Sequence, residues 1–135
     1  MAKKLIDVFA PKGKERKRSG GRIPRAKGTK AEALLLTQLT QLGYEVRRTH
    51  LSLFPDIIAW TDTDLLLIEV KARANNRQAI SQALSLFRAG VRAMTSVPNC
   101  ASMLCYLRVN GAWSAYQWNN GVTMQIEPIV TEATS

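Results

Sequence analysis

The residues of this chain best suited to chemistry lie in the run FPDIIAWTDTDLLLIEVKAR, Phe54 to Arg73, where Asp56, Glu69 and Lys71 interrupt otherwise apolar segments. Alternate side chains of a strand share a face, so Leu66, Ile68, Val70 and Ala72 form one apolar face and Leu65, Leu67, Glu69 and Lys71 the other. A two-residue turn at Asp62-Thr63 pairs Thr61 with Asp64 and, further along the same ladder, Asp56 with Glu69. The two acids then share a face and lie close enough to share one cation. Facing carboxylates repel each other, and partial burial raises that cost unless a proton or a metal ion compensates. Oxygen-only ligands of this kind suit Mg²⁺, with Mn²⁺ able to substitute, because these ions keep several waters and accept phosphate oxygens as remaining ligands. Lys71 beside them can orient a water or offset charge building on a phosphate under attack. The alternative is a surface Asp beside an ordinary solvated Glu–Lys pair. Such a pair contributes little and has no need of the LLLI and DIIA runs around it.

Glu32 is a possible third acid. Its helical neighbours Leu35, Leu36 and Leu39 turn it towards the core side of a helix. Thr29-Lys30-Ala31-Glu32 equally fits a capping box in which Glu32 reaches back to the Thr29 amide, and spacing alone does not separate the two readings.

The elements that would position these residues are legible as hydrophobic periodicity. TKAEALLLTQLTQLG predicts an amphipathic helix, with Thr29 as N-cap, Leu35, Leu39 and Leu42 on its stripe and Gly43 as its stop. Strands are predicted at 44–49, 56–60 and 65–72. A second helix follows, capped by Asn75 or Asn76, with Ile80, Ala83, Leu84 and Phe87 facing the core and Val91 and Met94 extending the stripe. Pro98 ends that region. Strands at 101–109 and 112–118 flank the tight turn Asn110-Gly111, and a short tail strand follows near 122–126. The order α-β-β-β-α-β-β predicts an α/β fold, one mixed central sheet flanked by helices.

At 135 residues the chain suits one compact domain. Its net charge of +9 is unevenly placed: residues 1–30 hold eleven Lys or Arg against Asp7 and Glu15, whereas the remainder holds eight of each sign. A basic arm at 1–27, rich in Gly, Pro and Ser and poor in apolar residues, is therefore predicted to be disordered without a polyanion, ahead of a domain at 28–135. Nucleic acid is the expected partner. Arg25, Lys27 and Lys30 at the end of the arm, with Arg47, Arg48, Arg73 and Arg77 flanking the acids in sequence, are candidates for phosphate contacts that position DNA without reading it. No stretch approaches the roughly 20 apolar residues of a membrane span, and no secretory signal is evident, so a cytoplasmic location is expected. Cys100 and Cys105 lack metal-site spacing and read as reduced core or near-core residues. His50, Ser52, Gln78 and Gln82 are polar residues near the hairpin that could touch phosphate or water. The apolar cluster Leu5 to Phe9 could dock on a partner such as a sliding clamp.

Pro55-Asp56 followed by Glu69-x-Lys71 resembles the signature of the PD-(D/E)xK nuclease superfamily. More of the chain resembles one branch, the archaeal-type Holliday junction resolvases. The matching features are Lys27-Gly28 with Ala31-Glu32 opening a helix, Gly43-Tyr44 then Val46 and Arg48, the runs PDIIA and IEVK, a Gln in the following helix, and a strand leading to Gly111-Ala112-Trp113. The resemblance implies a restriction-endonuclease-like fold and a homodimeric, Mg²⁺-dependent endonuclease that cuts four-way DNA junctions by paired nicks. It implies Asp56 and Glu69 as metal ligands, Glu32 as the acid completing the metal site directly or through water, and Lys71 as transition-state stabiliser. The segment before Pro55 is shorter than the Gly/Ser-rich loop of that family, whose active serine Ser52 alone could match. A related nuclease acting on duplex ends or flaps, and a non-catalytic nucleic-acid-binding module, are the competing readings. Acids facing phosphates bring nothing to a pure binder.

Overall fold

The structure, a computed structural model, describes residues 26–51 and 54–130. Eight elements follow in order: α1 (Ala26–Gln41), β1 (Glu45–Arg48), β2 (Ile57–Trp60), β3 (Leu65–Lys71), α2 (Arg77–Arg92), β4 (Ala101–Val109), β5 (Ala112–Asn119) and β6 (Val122–Ile126). They form one six-stranded sheet in the spatial order β1-β2-β3-β4-β5-β6, antiparallel throughout except for the parallel pair β3–β4 joined through α2. The fold is α/β with a mixed sheet, as the sequence pattern predicts. The tail strand is a full member of the sheet, paired with β5 from Ala115 to Asn119.

Each face of the sheet has its own core. On one, Ala31, Leu35 and Leu39 of α1 pack on Ile57, Ala59, Leu66, Ile68, Val70, Leu104 and Tyr106. On the other, Ala83, Phe87 and Val91 of α2 pack on Ile58, Leu65, Leu67, Cys105 and Leu107. The strict alternation of β3 residues between these cores is the strand period written in side chains. Because both faces are covered, β3 reads as an almost unbroken apolar run, and a charge anywhere in it meets low-dielectric surroundings.

Several local expectations need correction. α1 is already helical at Ala26, so Thr29 lies inside the helix and cannot be its N-cap, and the capping-box reading of Glu32 falls with it. One Gly in a helix costs only about 1 kcal/mol, so Gly28 does not stop the helix from running through. The boundary placed between residues 27 and 28 falls within this first turn, and the arm before it, with Leu5 to Phe9, lies outside the described residues. Leu42 is 44% exposed, beyond the last helical residue, and Gln38 takes a buried place instead, accepting a 2.7 Å hydrogen bond from Trp113 Nε1. Cys105 is buried as expected, but Cys100 is exposed. Of the two candidate caps of α2, Asn76 serves: its Oδ1 accepts from Ala79 N–H at 2.8 Å. Asn75 accepts from Asn110 N–H instead, which ties the segment after β3 to the β4–β5 turn.

The loop that delivers Asp56 is anchored by α2. Phe54 is buried and meets Phe87 edge-to-face, ring centroids 5.5 Å apart. Gly90 makes room for it, since a Cβ there would come within 2.7 Å of Phe54 Cβ. A Gly→Ala exchange within a helix ordinarily stabilises by about 1 kcal/mol. Here Gly90→Ala is expected to destabilise by about 1–3 kcal/mol through overpacking, a reversal of sign that urea denaturation will show.

Candidate functional site

β2 and β3 pair as Ile57↔Ile68, Ile58↔Leu67, Ala59↔Leu66 and Trp60↔Leu65. The regular ladder ends at Ile57↔Ile68, and the charge of Asp56 nevertheless reaches Glu69. Asp56 itself lies just before the regular strand, and both its backbone and its side chain bond to β3. Its N–H donates to Ile68 O at 2.8 Å, and its Oδ2 accepts from Val70 N–H at 2.9 Å. The carboxylate therefore stands where a ladder carbonyl would, which fixes its orientation against β3.

Glu69 is only 8% exposed. Its strand neighbour in parallel register is Cys105, whose backbone and buried thiol wall off that side. Lys71 Nζ lies 3.3 Å from Glu69 Oε2, as expected of residues two apart on one strand face. The electrostatics record how dry the pair is. Burial, then the charge of Asp56, pushes the Glu69 carboxyl up to about 7 from the ordinary 4.5, although Lys71 pulls the other way by charge and hydrogen bond, and Glu32 adds a smaller upward push. Burial also raises Asp56, opposed by the Val70 N–H and by Lys71. The Cys105 thiol is pushed up too, by burial and then by Glu69, which makes it a poor nucleophile.

Glu32 reaches the pair through its charge, which adds to the upward push on Glu69. It is half-buried on α1 and faces Arg48 Nε at 3.5 Å. Among the described residues, no three Asp, Glu, His or Cys side chains gather closely enough to hold an ion. The structure thus brings together Asp56, Glu69 and Lys71, and pairs Glu32, whose charge also acts on Glu69, with Arg48. Sequence spacing could not reveal that ion pair, because nothing local links residues 32 and 48.

Of the other candidates, Lys30, Arg47, Arg73 and Arg77 are exposed, as are His50, Gln78 and Gln82. His50 and Arg73 both hold left-handed backbone, each at φ 60. Ser52 and Arg25 lie outside the described residues, and nothing is described of the Lys27 side chain. Thr49, which spacing gave no reason to single out, holds the loop between β1 and β2: its Oγ1 donates to Pro55 O and accepts from Leu51 N–H, while its own N–H donates to Asp56 O at 3.0 Å.

No protein-family model matches the chain, and no curated protein does. Among solved structures, the chain is similar to that of Hjc from Archaeoglobus fulgidus, a Holliday junction resolvase from an archaeal hyperthermophile. The match has 23% identity and a TM-score of 0.44 over 80% of this chain and 86% of the other. What this chain does therefore has to be read from its own side chains.

The dry carboxyl has a measurable consequence. Glu69 ionises near 4.5 in the unfolded chain and near 7 in the folded one, so between those values the native state holds the extra proton and stability falls as pH rises. In chelator-containing buffer, chemical denaturation is expected to show a loss of order 3 kcal/mol from this group between pH 5 and pH 7.5. Glu69→Gln should remove that slope and leave the metal-free protein more stable than wild type at pH 7.5. An unchanged slope in the variant would mean that Glu69 is not the group responsible.

Proposed function

We propose that the protein is a metal-dependent endonuclease that hydrolyses phosphodiester bonds in branched DNA, resolving four-way junctions by paired nicks. The observation that carries this reading is a pair of desolvated carboxylates that act on each other, with a lysine beside Glu69 on β3. Such a pair is costly to build, and its cost is recovered only when a cation or a proton sits between the acids. A protein that merely binds DNA has no use for it.

The donor set fits Mg²⁺, with Mn²⁺ as substitute: two carboxylates, oxygen only, are what that ion takes from protein when substrate phosphate and water complete its shell. Asp56 and Glu69 would hold it. When bound, the ion would supply a water acidic enough to attack phosphorus and would offset charge on the scissile phosphate. Val70 N–H fixes the Asp56 carboxylate by donating to its Oδ2. Lys71, an ammonium beside Glu69, is placed to donate to a non-bridging phosphate oxygen as negative charge builds there. Glu32 acts at one remove, through its ion pair with Arg48 and its field on Glu69. The order of residues along the chain supports the junction substrate: the PDIIA and IEVK runs sit within a longer series resembling the archaeal-type junction resolvases. The surplus of cations on residues 1–30 supports a polyanionic partner. A four-way junction has two-fold character, and two copies of the chain related by a two-fold axis would present two sites for two cuts.

The decisive experiment incubates the protein and Mg²⁺ with a labelled immobile four-way junction, beside matched duplex and flap DNA. Symmetric junction nicks are expected, abolished by Asp56→Asn and by Glu69→Gln with junction binding retained. Cutting of all three substrates alike would move the reading to a general repair-type nuclease, and no cutting in either metal would leave a binding module. Lys71→Ala should lower the single-turnover rate by about 10²–10³-fold, the usual cost of losing one charge-stabilising donor.

A further inference from the structure

Asp56 lies just before β2, beyond the last paired residues of the hairpin, so its placement rests on individual bonds rather than on strand pairing. Two planar peptide units flank its Cα, and Thr49, the residue that follows β1, holds both. In the unit joining Pro55 to Asp56, the carbonyl accepts from Thr49 Oγ1 and the N–H donates to Ile68 O at 2.8 Å, so the plane is fastened at its two ends. In the unit that follows, the Asp56 carbonyl accepts from Thr49 N–H at 3.0 Å. With both planes fastened, φ and ψ of Asp56 are set. Its carboxylate keeps only the freedom of its side-chain torsions, and the 2.9 Å bond from Val70 N–H takes up that freedom.

Thr49 is 2% exposed, and its hydroxyl both gives and takes: it donates to Pro55 O and accepts from Leu51 N–H at 3.1 Å. The loop has a separate anchor in Phe54, whose buried ring meets Phe87. Holding the loop against the core is therefore the work of Phe54, whereas the bonds of Thr49 bear on the two peptides next to one carboxylate. We infer that Thr49 is a positioning residue of the carboxylate site: by fastening the backbone on either side of Asp56 it sets where that carboxylate stands, and so how tightly Asp56 and Glu69 together hold a divalent cation. Thr49 acts through the backbone of Asp56 and touches no reacting atom. The inference deepens the endonuclease reading and rests on it for the identity of the cation.

The test compares wild type with three variants. Thr49→Val keeps the shape but strands Pro55 O and Leu51 N–H. Thr49→Ala makes the same loss with room for a water, and serves where the valine variant does not fold. Thr49→Ser retains the hydroxyl. In EDTA, amide hydrogen exchange followed by NMR is expected to show Val70 N–H losing protection in the valine and alanine variants, while the slow amides of β4 keep theirs. Mn²⁺ titrated by calorimetry should bind about 10- to 100-fold more weakly to both, the usual cost of losing a group that orients a metal ligand. Thr49→Ser should restore both readouts. If every slow amide speeds up together, Thr49 is a fold support and the positioning role is lost. Equal losses in Thr49→Ser, or unchanged Val70 exchange in both the valine and alanine variants, would also overturn the role, as would unchanged Mn²⁺ affinity in variants of a protein that binds the ion. The parent reading fails separately: a wild-type protein that neither binds Mn²⁺ nor cuts DNA, yet whose Val70 protection depends on the hydroxyl, keeps Thr49 as the residue that places Asp56 and loses the metal-dependent nuclease.

Discussion

Two like charges brought face to face in a nearly dry place are the constraint on which the rest of this structure depends. Asp56, held just before β2 by its bonds to Ile68 O and Val70 N–H, cannot draw away from Glu69 on β3, and Cys105 is the neighbour of Glu69 on the next strand. Lys71 offsets part of the repulsion but is itself partly exposed, so its charge is shared with solvent. The balance remains unfavourable to two ionised carboxyls, as the raised Glu69 shows. A fold with both faces of its sheet covered is well suited to keeping such a fault from relaxing.

The supports of the pair explain much of the surrounding sequence. Asp56 needs its loop to enter at a fixed angle, and that angle is set by Phe54 seated between Phe87 and the bare surface of Gly90. Thr49 fastens the other end of the loop by bonding to Pro55 and Asp56 backbone. Glu32 and Arg48 close the α1 side, each half-buried and neutralising the other. Helix α2 is thus more than a cover for the sheet, since its Phe87 and Gly90 locate an acid that lies more than thirty residues earlier in the chain.

How much of this could be read in advance depended on the range of the interaction involved. The hairpin register was legible because a two-residue turn and a period of two leave only one pairing, and it brings Asp56, just beyond the ladder, near Glu69. β4, the turn at Asn110-Gly111 and β6 were equally clear, each bounded by its own turn residues. The start of α1 was not, since Thr29 and Glu32 make a convincing local cap that the helix overrides by running on from Ala26. Leu42 is exposed where the stripe predicts burial, and Gln38 is buried, its side chain accepting from the indole N–H of Trp113 seventy-five residues away. The Glu32–Arg48 pair is likewise a product of tertiary contact, invisible to spacing rules.

The single parallel pairing in the sheet divides the molecule in an instructive way. β1 to β3 make one antiparallel meander and β4 to β6 another, and only the β3–β4 seam joins them. Both acids and the lysine are carried by the first meander, whereas the wall that dehydrates Glu69 belongs to the second. Location and acidity in this protein therefore come from different halves of the polypeptide, and neither half by itself would hold a carboxyl poised near neutrality.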